Sequence, residues 1–316
     1  MNISSIMHCR RTIATGCALV CLLASGVYAQ TPADAILMKG KEICIAPFYT
    51  HDTWNKYWEG SLLRENQNIG QLTRNTYSLM LGYGITDRLN AFVNLPYIRT
   101  SASGGQMKGA KGIQDLSLAL KYSFLLRESM GFQWNILGTV GYSVPVSSYL
   151  SDYMPFSLGL GTSEYSGRMI LEARHKTNIY FRGTTGYMHR TTTRAERDYY
   201  YADKGYYTDI MDVPDAFSLD AALGAFLFDH RLQLECYYLH QNSLSGDDIR
   251  RQNAPQPTNR MNFQSASLYA RVYPELIKGW SIFANYGQVI NGRNVGRSTM
   301  VTAGMTYQFF TKKQTL

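Results

Sequence analysis

Nine charged residues lie inside stretches that otherwise alternate large apolar residues with small or polar ones. Successive side chains of a β-strand point to opposite faces, so each stretch predicts one apolar face and one polar face. The charges fall on the polar faces, and both signs are present. They could pair with one another and rigidify an interior, or line a polar passage for a solute. The nine residues are Asp115, Lys121, Arg168, Glu172, Arg174, Arg182, Asp220, Glu235 and Arg271.

The histidines are candidates for catalytic or metal-binding roles. A nucleophilic serine and its histidine base must lie within hydrogen-bond reach of each other. The segment His240-Gln241-Asn242-Ser243 comes nearest to this pattern. In a strand, however, Ser243 points to the face opposite that of His240. The other histidines are scattered and offer no converging metal ligands. We therefore predict that the protein is not an enzyme and has neither a cofactor nor a metal site.

Segment 191–215 combines charged residues with tyrosines, which suggests a surface loop. Aromatic residues beside arginine suit the recognition of flat or sugar-like ligands, or of partner proteins. Tyrosines at this level can equally form an interfacial girdle and pack the loop, and we favour that interpretation. The surface-loop aromatic residues in question are Tyr199, Tyr200, Tyr201, Tyr206 and Tyr207.

Twelve segments carry the alternating pattern, and most are ten to fourteen residues long. A tilted strand of that length can cross ~25 Å of apolar membrane, whereas strands in soluble sheets average about 5–6 residues. The connections between the segments alternate strictly between short and long. The predicted strands are 41–50, 73–85, 88–98, 113–125, 131–144, 164–175, 178–190, 216–228, 231–242, 262–273, 279–290 and 298–310.

This alternation of connections predicts the fold class. An up-and-down antiparallel barrel with an even number of strands has tight turns at one end and long loops at the other. A soluble β-sandwich fits the composition, but its crossing connections give no reason for the alternation. We predict an all-β transmembrane barrel of about 12 strands. Because a charge at the bilayer midplane costs a few kcal/mol, the nine charged residues are expected to face the lumen.

The first 29 residues have the organisation of a bacterial signal peptide. Arg10 and Arg11 precede an apolar run over residues 12–23, and Val27-Tyr28-Ala29 supplies the small residues of a cleavage site. The run is shorter than the ~20 residues of a spanning helix. We predict cleavage after Ala29, with residues 1–29 as signal peptide and residues 30–316 as an outer-membrane barrel.

The remaining chain is mildly basic. The leader carries two arginines and no acid, so 29 basic and 23 acidic residues remain, a formal charge of +6. Export argues against nucleic acid as a partner, and anionic lipid headgroups or a lumen that favours anions explain the excess better. Cys44 and Cys236 remain after the leader is removed, and strand parity places them on opposite faces. We expect two buried thiols that are not joined in a disulfide.

Several short motifs resemble an outer-membrane family named for the MetA pathway of phenol degradation. They are Tyr83-Gly84-Ile85-Thr86-Asp87-Arg88-Leu89, Leu95-Pro96-Tyr97, Gly112-Ile113-Gln114-Asp115-Leu116 with Gln114 in place of the usual glycine, Leu120-Lys121-Tyr122, Ser157-Leu158-Gly159-Leu160-Gly161, Thr185-Gly186-Tyr187 and Asn294-Val295-Gly296-Arg297. In the first motif, Thr86 and Asp87 suit a turn, Asp87 and Arg88 suit an ion pair, and Gly84 relieves crowding where the strand bends.

The resemblance covers residues 75–310 approximately and implies a porin-like barrel that takes up hydrophobic or aromatic compounds. The predicted function is passive passage of a small-molecule solute through an outer-membrane channel. The alternative is a closed-lumen structural or surface-binding barrel that acts through its tyrosine-rich loops. Outer-membrane lipid is the expected surrounding. The oligomeric state is not predictable, because subunit contacts on a barrel wall resemble lipid contacts.

Overall fold

The structure, a computed structural model, describes residues 31–250 and 255–311. The predicted signal peptide and its cleavage site lie outside the described residues. Among the residues described, no helix is long and apolar enough to cross a membrane. Twelve long β-strands account for most of the described chain.

Each long strand corresponds to one predicted segment. The strands are β1 (Glu42–Trp54), β2 (Leu72–Gly84), β3 (Leu89–Ala102), β4 (Asp115–Ser129), β5 (Phe132–Pro145), β6 (Glu164–His175), β7 (Ile179–Arg190), β8 (Ala216–Leu227), β9 (Leu232–Ser243), β10 (Asn262–Val272), β11 (Trp280–Arg293) and β12 (Thr299–Phe310).

The strands form one closed antiparallel sheet. Every strand pairs with its neighbours in the chain, and β1 closes the barrel by pairing with β12 from Glu42↔Phe310 to Thr53↔Thr299. The predicted twelve-stranded, up-and-down topology is therefore confirmed. The end that carries the tight turns is called the short-turn end, and the opposite end is called the long-loop end.

The two faces of the wall differ in polarity. Large apolar side chains on the outside are exposed, such as Leu171, Leu223 and Leu268 at 43%, 59% and 60%. Neighbouring positions of opposite parity are buried and mostly polar, as at Glu172 and Ser267. A soluble protein rarely exposes a continuous apolar surface of this extent. The arrangement is that of a barrel whose outer wall contacts lipid.

Strand boundaries differ from the prediction where the alternation of apolar and polar residues fades. β1 continues to Trp54 because His51, Asp52 and Thr53 keep their ladder partners on β2 and β12, although none of them is apolar. β4 contains a bulge between Ser123 and Leu125, which shifts the register against β5. A bulge adds one residue to one strand, and consecutive apolar residues beyond Ser123 consequently face outward.

The described parts of the connections contain seven short strands. They are Lys56–Glu59, Leu62–Glu65, Lys111–Ile113, Thr193–Arg194, Tyr200–Tyr201, Gly205–Tyr206 and Ile210–Met211. Lys111–Ile113 extends the wall beside β3, and the other six form small hairpins above the long-loop end.

Candidate functional site: the barrel lumen

Residues Thr31–Gly40, here called the inner segment, occupy the lumen from the short-turn end. Gly40 N donates to Asp87 Oδ1 (2.8 Å) in the β2–β3 turn. Further in, Thr139 Oγ1, midway along β5, donates to Pro32 O (2.9 Å). Pro32 therefore lies deep inside the barrel, and from there the inner segment runs to the short-turn end and continues into β1.

Lys121 on β4 anchors the inner segment. Its side chain is completely buried, and its Nζ donates to Thr31 O (2.7 Å) and Ile36 O (2.6 Å). The same ammonium lies 2.9 Å from the carboxylate of Asp34. A buried charge needs both an opposite charge and hydrogen-bond partners. The inner segment supplies Lys121 with both.

Asn90 on β3 forms a second anchor. Its Oδ1 accepts from Met38 N (2.7 Å), and its Nδ2 donates to Met38 O (3.1 Å). The completely buried amide thus satisfies both backbone groups of one residue, as a neighbouring strand would. Sequence reasoning missed Asn90, because an asparagine on a polar strand face is unremarkable.

Two residues of the Tyr83–Leu89 motif contact the inner segment directly. A Cβ on Gly84 would lie 2.0 Å from Lys39 O, so the close approach of the two backbones requires glycine. Asp87 accepts from Gly40 N rather than serving the turn alone. The turn itself is held by Thr86, whose Oγ1 accepts from Leu89 N (3.0 Å).

The inner segment also covers apolar parts of the lumenal wall. Met38 belongs to a buried cluster with Cys44, Ala46 and Phe92. Ala35 packs in a second cluster with the wall residues Leu137 and Ile170, both of which are completely buried.

Cys44 and Cys236 lie on opposite faces of the wall, and no disulfide joins them. Cys44 is buried on the lumenal face. The expectation of a buried Cys236 was wrong, because its thiol is exposed on the outer wall.

Four of the predicted lumenal charges form two ion pairs on the wall. Arg182 on β7 donates to Glu235 on β9 (2.8 Å), and Arg174 donates to Glu172 on β6 (2.8 Å). Tyr180 OH donates to the second oxygen of Glu235 (2.8 Å). These contacts show how charges of both signs are accommodated on the lumenal face of the wall.

The other predicted charges have different surroundings. The guanidinium of Arg271 lies 5.4 Å from the ring centre of Tyr269 and 5.2 Å from that of Phe283, within cation–π distance. Asp220 lies within electrostatic range of Arg168 and Arg182. Asp115 lies at the long-loop end, away from the anchors of the inner segment.

Loop 146–163, here called the mouth loop, folds over the lumen at the long-loop end. Tyr149 OH donates to Asp115 Oδ1 (2.5 Å), and Thr100 Oγ1 donates to Phe156 O (2.9 Å). Arg74 on β2 donates to Leu158 O. The ring of Phe156 is completely buried against Ile69 and Leu72 and their neighbours.

A cavity of about 360 Å³ remains beneath the mouth loop, between Arg74, Asp115 and Glu164. Arg74 has the lumenal parity of a predicted strand, so the sequence could have identified it. The sequence marks Asp34 only weakly, through the turn-forming residues Thr31-Pro32-Ala33-Asp34. In the structure Asp34 N donates to Thr31 Oγ1 (3.2 Å) within this turn.

The five tyrosines of segment 191–215 lie in its hairpins. Tyr200 and Tyr206 stack with ring centres 5.0 Å apart, and Tyr200 is buried (6% exposed) rather than presented at the surface. Tyr199 contacts Tyr207, which is 89% exposed. Tyr201 is 38% exposed. Four of the five rings thus contact another ring of the loop, although Tyr207 stays largely exposed.

His240 Nε2 contacts the amide of Asn242 at 2.6 Å. Ser243 Oγ donates instead to Met261 O (3.2 Å), so His240 and Ser243 are bonded to different groups. Among the residues that the structure describes, no group of three or more potential ligands is placed to hold a metal ion.

The fold and lumen define the class: a transmembrane β-barrel with a polar interior. The solved structure of the COG4313 outer membrane channel from Pseudomonas putida F1 is similar, with a TM-score of 0.70 and 15% identity over 89% of this chain and all of that one. At this identity the likeness is one of fold.

Two porins resemble the chain more distantly. KdgM gives a TM-score of 0.43 with 9% identity over 84% of this chain and 99% of that one, and NanC gives 0.45 with 8% identity over 82% and 98%. No family model and no curated protein matches the chain. Membership of the MetA-pathway family therefore stays a prediction.

Proposed function

We propose that this protein is a porin-like channel of a bacterial outer membrane, reached after cleavage behind Ala29, and that it passes small molecules by passive diffusion. The observation that carries the proposal is the contrast between the two faces of one closed wall: exposed leucines outside, and buried charges such as Arg182 and Glu235 inside. The likeness to a channel of Pseudomonas putida F1 supports it. The motif resemblance favours hydrophobic or aromatic solutes.

Reconstitution in planar bilayers tests this proposal. The expected result is discrete conductance steps, changed in size or ion selectivity by Arg168→Ala and by Arg271→Ala. An outer-wall substitution such as Leu268→Ala, on the same strand as Arg271, is the matched control and should leave the steps unchanged. Equal effects of Arg271→Ala and Leu268→Ala would contradict a conducting lumen.

The second candidate function is a closed-lumen barrel that acts through its loops. A specific observation favours it, because the inner segment and the mouth loop occupy the two ends of the lumen. The Gly84→Ala variant distinguishes the two candidate functions, because its added methyl group takes the space that the inner segment needs. If neither the wild type nor this variant conducts ions in planar bilayers, the channel is excluded and the closed barrel is favoured.

A further inference from the structure

The inner segment presents its side chains to the lumenal wall as a small amphipathic anion would. One carboxylate, that of Asp34, meets a buried ammonium at 2.9 Å. The next residue, Ala35, packs on Leu137 and Ile170, and Met38 packs beside Phe92. A charged head and an apolar body thus contact complementary parts of the wall.

The wall around this contact carries an excess of positive charge. Apart from Asp115 at the long-loop end, the predicted lumenal charges comprise five cations and three carboxylates, and the buried Glu42 at the short-turn end adds a fourth carboxylate. Two of those carboxylates, Glu172 and Glu235, are already paired with arginines. Asp34 offsets this excess, since it lies within electrostatic range of Arg182 and Arg271 as well as Lys121.

Aromatic and apolar surface adjoins these cations. The Lys121 ammonium lies 5.2 Å from the ring centre of Phe92, and Arg174 lies 4.8 Å from that of Phe226. With the inner segment removed, the wall would present an ammonium beside Phe92, Leu137 and Ile170. Such a surface binds an anion with an apolar body better than it binds a neutral or cationic molecule of the same shape.

We propose that the lumen contains a binding site for small organic anions with an apolar body, centred on Lys121, and that the inner segment is its internal occupant. A solute of this class competes with Asp34 for Lys121 and displaces the segment toward the short-turn end. The proposal rests on the proposed channel function for its biological meaning. Its test does not require conduction.

Cys44 provides a native reporter for displacement of the segment. Its thiol lies on the lumenal face, 1% exposed, in the cluster that Met38 covers. The exposed Cys236 on the outer wall is removed by Cys236→Ala. Modification of Cys44 by a charged, water-soluble methanethiosulfonate, followed by mass spectrometry of the Cys44 peptide, then measures how often the segment leaves.

The first experiment compares three probes of equal length: hexanoate, hexanamide and hexylammonium. Hexanoate should accelerate modification of Cys44 by about tenfold, equivalent to about 1.4 kcal/mol of coupling. The amide and the amine should leave the rate unchanged. Equal acceleration by all three, or acceleration by none, would overturn the proposal.

The second experiment measures hexanoate binding by titration calorimetry on the detergent-solubilised barrel. Asp34→Asn weakens the competitor and should raise the affinity for hexanoate, whereas Lys121→Met removes the site and should abolish binding. Folding of each variant is checked by its heat-modifiable migration on gels, and Lys121→Arg should keep measurable binding. If the inner segment has a purely structural role, Asp34→Asn should not raise the affinity for hexanoate. That result would contradict the proposal even if the barrel conducts ions.

Discussion

The two ends of the lumen are closed by different physical means. At the short-turn end, the inner segment is held chiefly by buried polar groups, which are the ammonium of Lys121 and the amides of Asn90 and Asn135. At the long-loop end, the mouth loop is held largely by apolar burial, with Phe156 completely enclosed. Its polar contacts include the hydrogen bond between Tyr149 and Asp115 and the ion pair between Asp152 and Arg197, neither of which involves the lumenal wall around Lys121.

This difference bears on which end can open. An interaction centred on a charge is lost almost entirely when one partner is removed or exchanged, because the other charge is left without compensation. Apolar packing is spread over many atoms and weakens gradually. The inner segment is therefore suited to competition by a solute, whereas the mouth loop is suited to shaping a fixed entrance.

The largest effect is expected from Lys121→Met. The substitution keeps an unbranched side chain but deprives Asp34 of its ion pair, and breaking a buried pair costs about 3–5 kcal/mol. The inner segment should leave the lumen while the barrel stays folded. Modification of Cys44 in a Cys236→Ala background should then become at least a hundredfold faster. Lys176→Met in the exposed β6–β7 turn is the control, and equal rates in the two variants would show that Lys121 does not hold the segment.

Gly84→Ala should have the next largest effect. The added methyl group would lie 2.0 Å from Lys39 O, well inside van der Waals contact, and overpacking of this kind costs about 1–3 kcal/mol. Gly167→Ala on the outer wall is a matched control, since nothing lies within 4 Å of its new methyl group. Conductance and Cys44 modification should rise in Gly84→Ala alone. If Cys44 of the Gly84→Ala variant is modified at the wild-type rate, the backbone of the inner segment shifts without leaving the lumen.

The sequence predicted the wall of the barrel but not the inner segment that occupies its lumen. The wall follows from local alternation, as between Leu171 and Glu172, which any window of ten residues reveals. The anchors join residues far apart in the chain, 52 positions for Asn90 with Met38 and 90 for Lys121 with Thr31. Most of their acceptors on the inner segment are backbone carbonyls, which every residue possesses, so no residue type marks the segment as a ligand.

Gly84 shows the same limit at a single position. Its place in a strand-end motif suggested relief of local crowding at a bend. The structure assigns the glycine to a contact with Lys39, more than forty positions away in the sequence, which no local pattern could reveal.

A smaller effect is expected at the mouth loop from Tyr149→Phe. The hydroxyl donates to Asp115 and accepts from Gly161 N (3.2 Å), so its loss removes two hydrogen bonds from one side chain. A cost of about 1–3 kcal/mol is expected, because one partner is a carboxylate. The apolar packing of Phe156 should keep the loop in place. Conductance noise should therefore increase without a change in the reactivity of Cys44, and a changed Cys44 rate would show that the two ends are coupled. Tyr142→Phe is the control, because Tyr142 lies on the outer face of β5 beside Tyr165.

The smallest effect concerns pH and the ion pair between Asp248 and Arg293. The Arg293 guanidinium donates to Asp248 Oδ1 (2.7 Å) and, with Asn294, lowers the pKa of Asp248 to about 2. The pKa of Asp248 in the folded protein thus lies below its usual value of about 3.9. The ion pair therefore stabilises the fold fully above about pH 3.9, and this stabilisation is lost as the pH falls toward 2. Both partners are partly exposed, so it amounts to about 1 kcal/mol or less. Hydrogen exchange at Ile249, whose N–H donates to Asn294 Oδ1, should show less than about fivefold loss of protection between pH 5 and pH 2 after correction for intrinsic rates. Asp248→Asn should remove this dependence, and a variant that retains it would place the titrating group elsewhere.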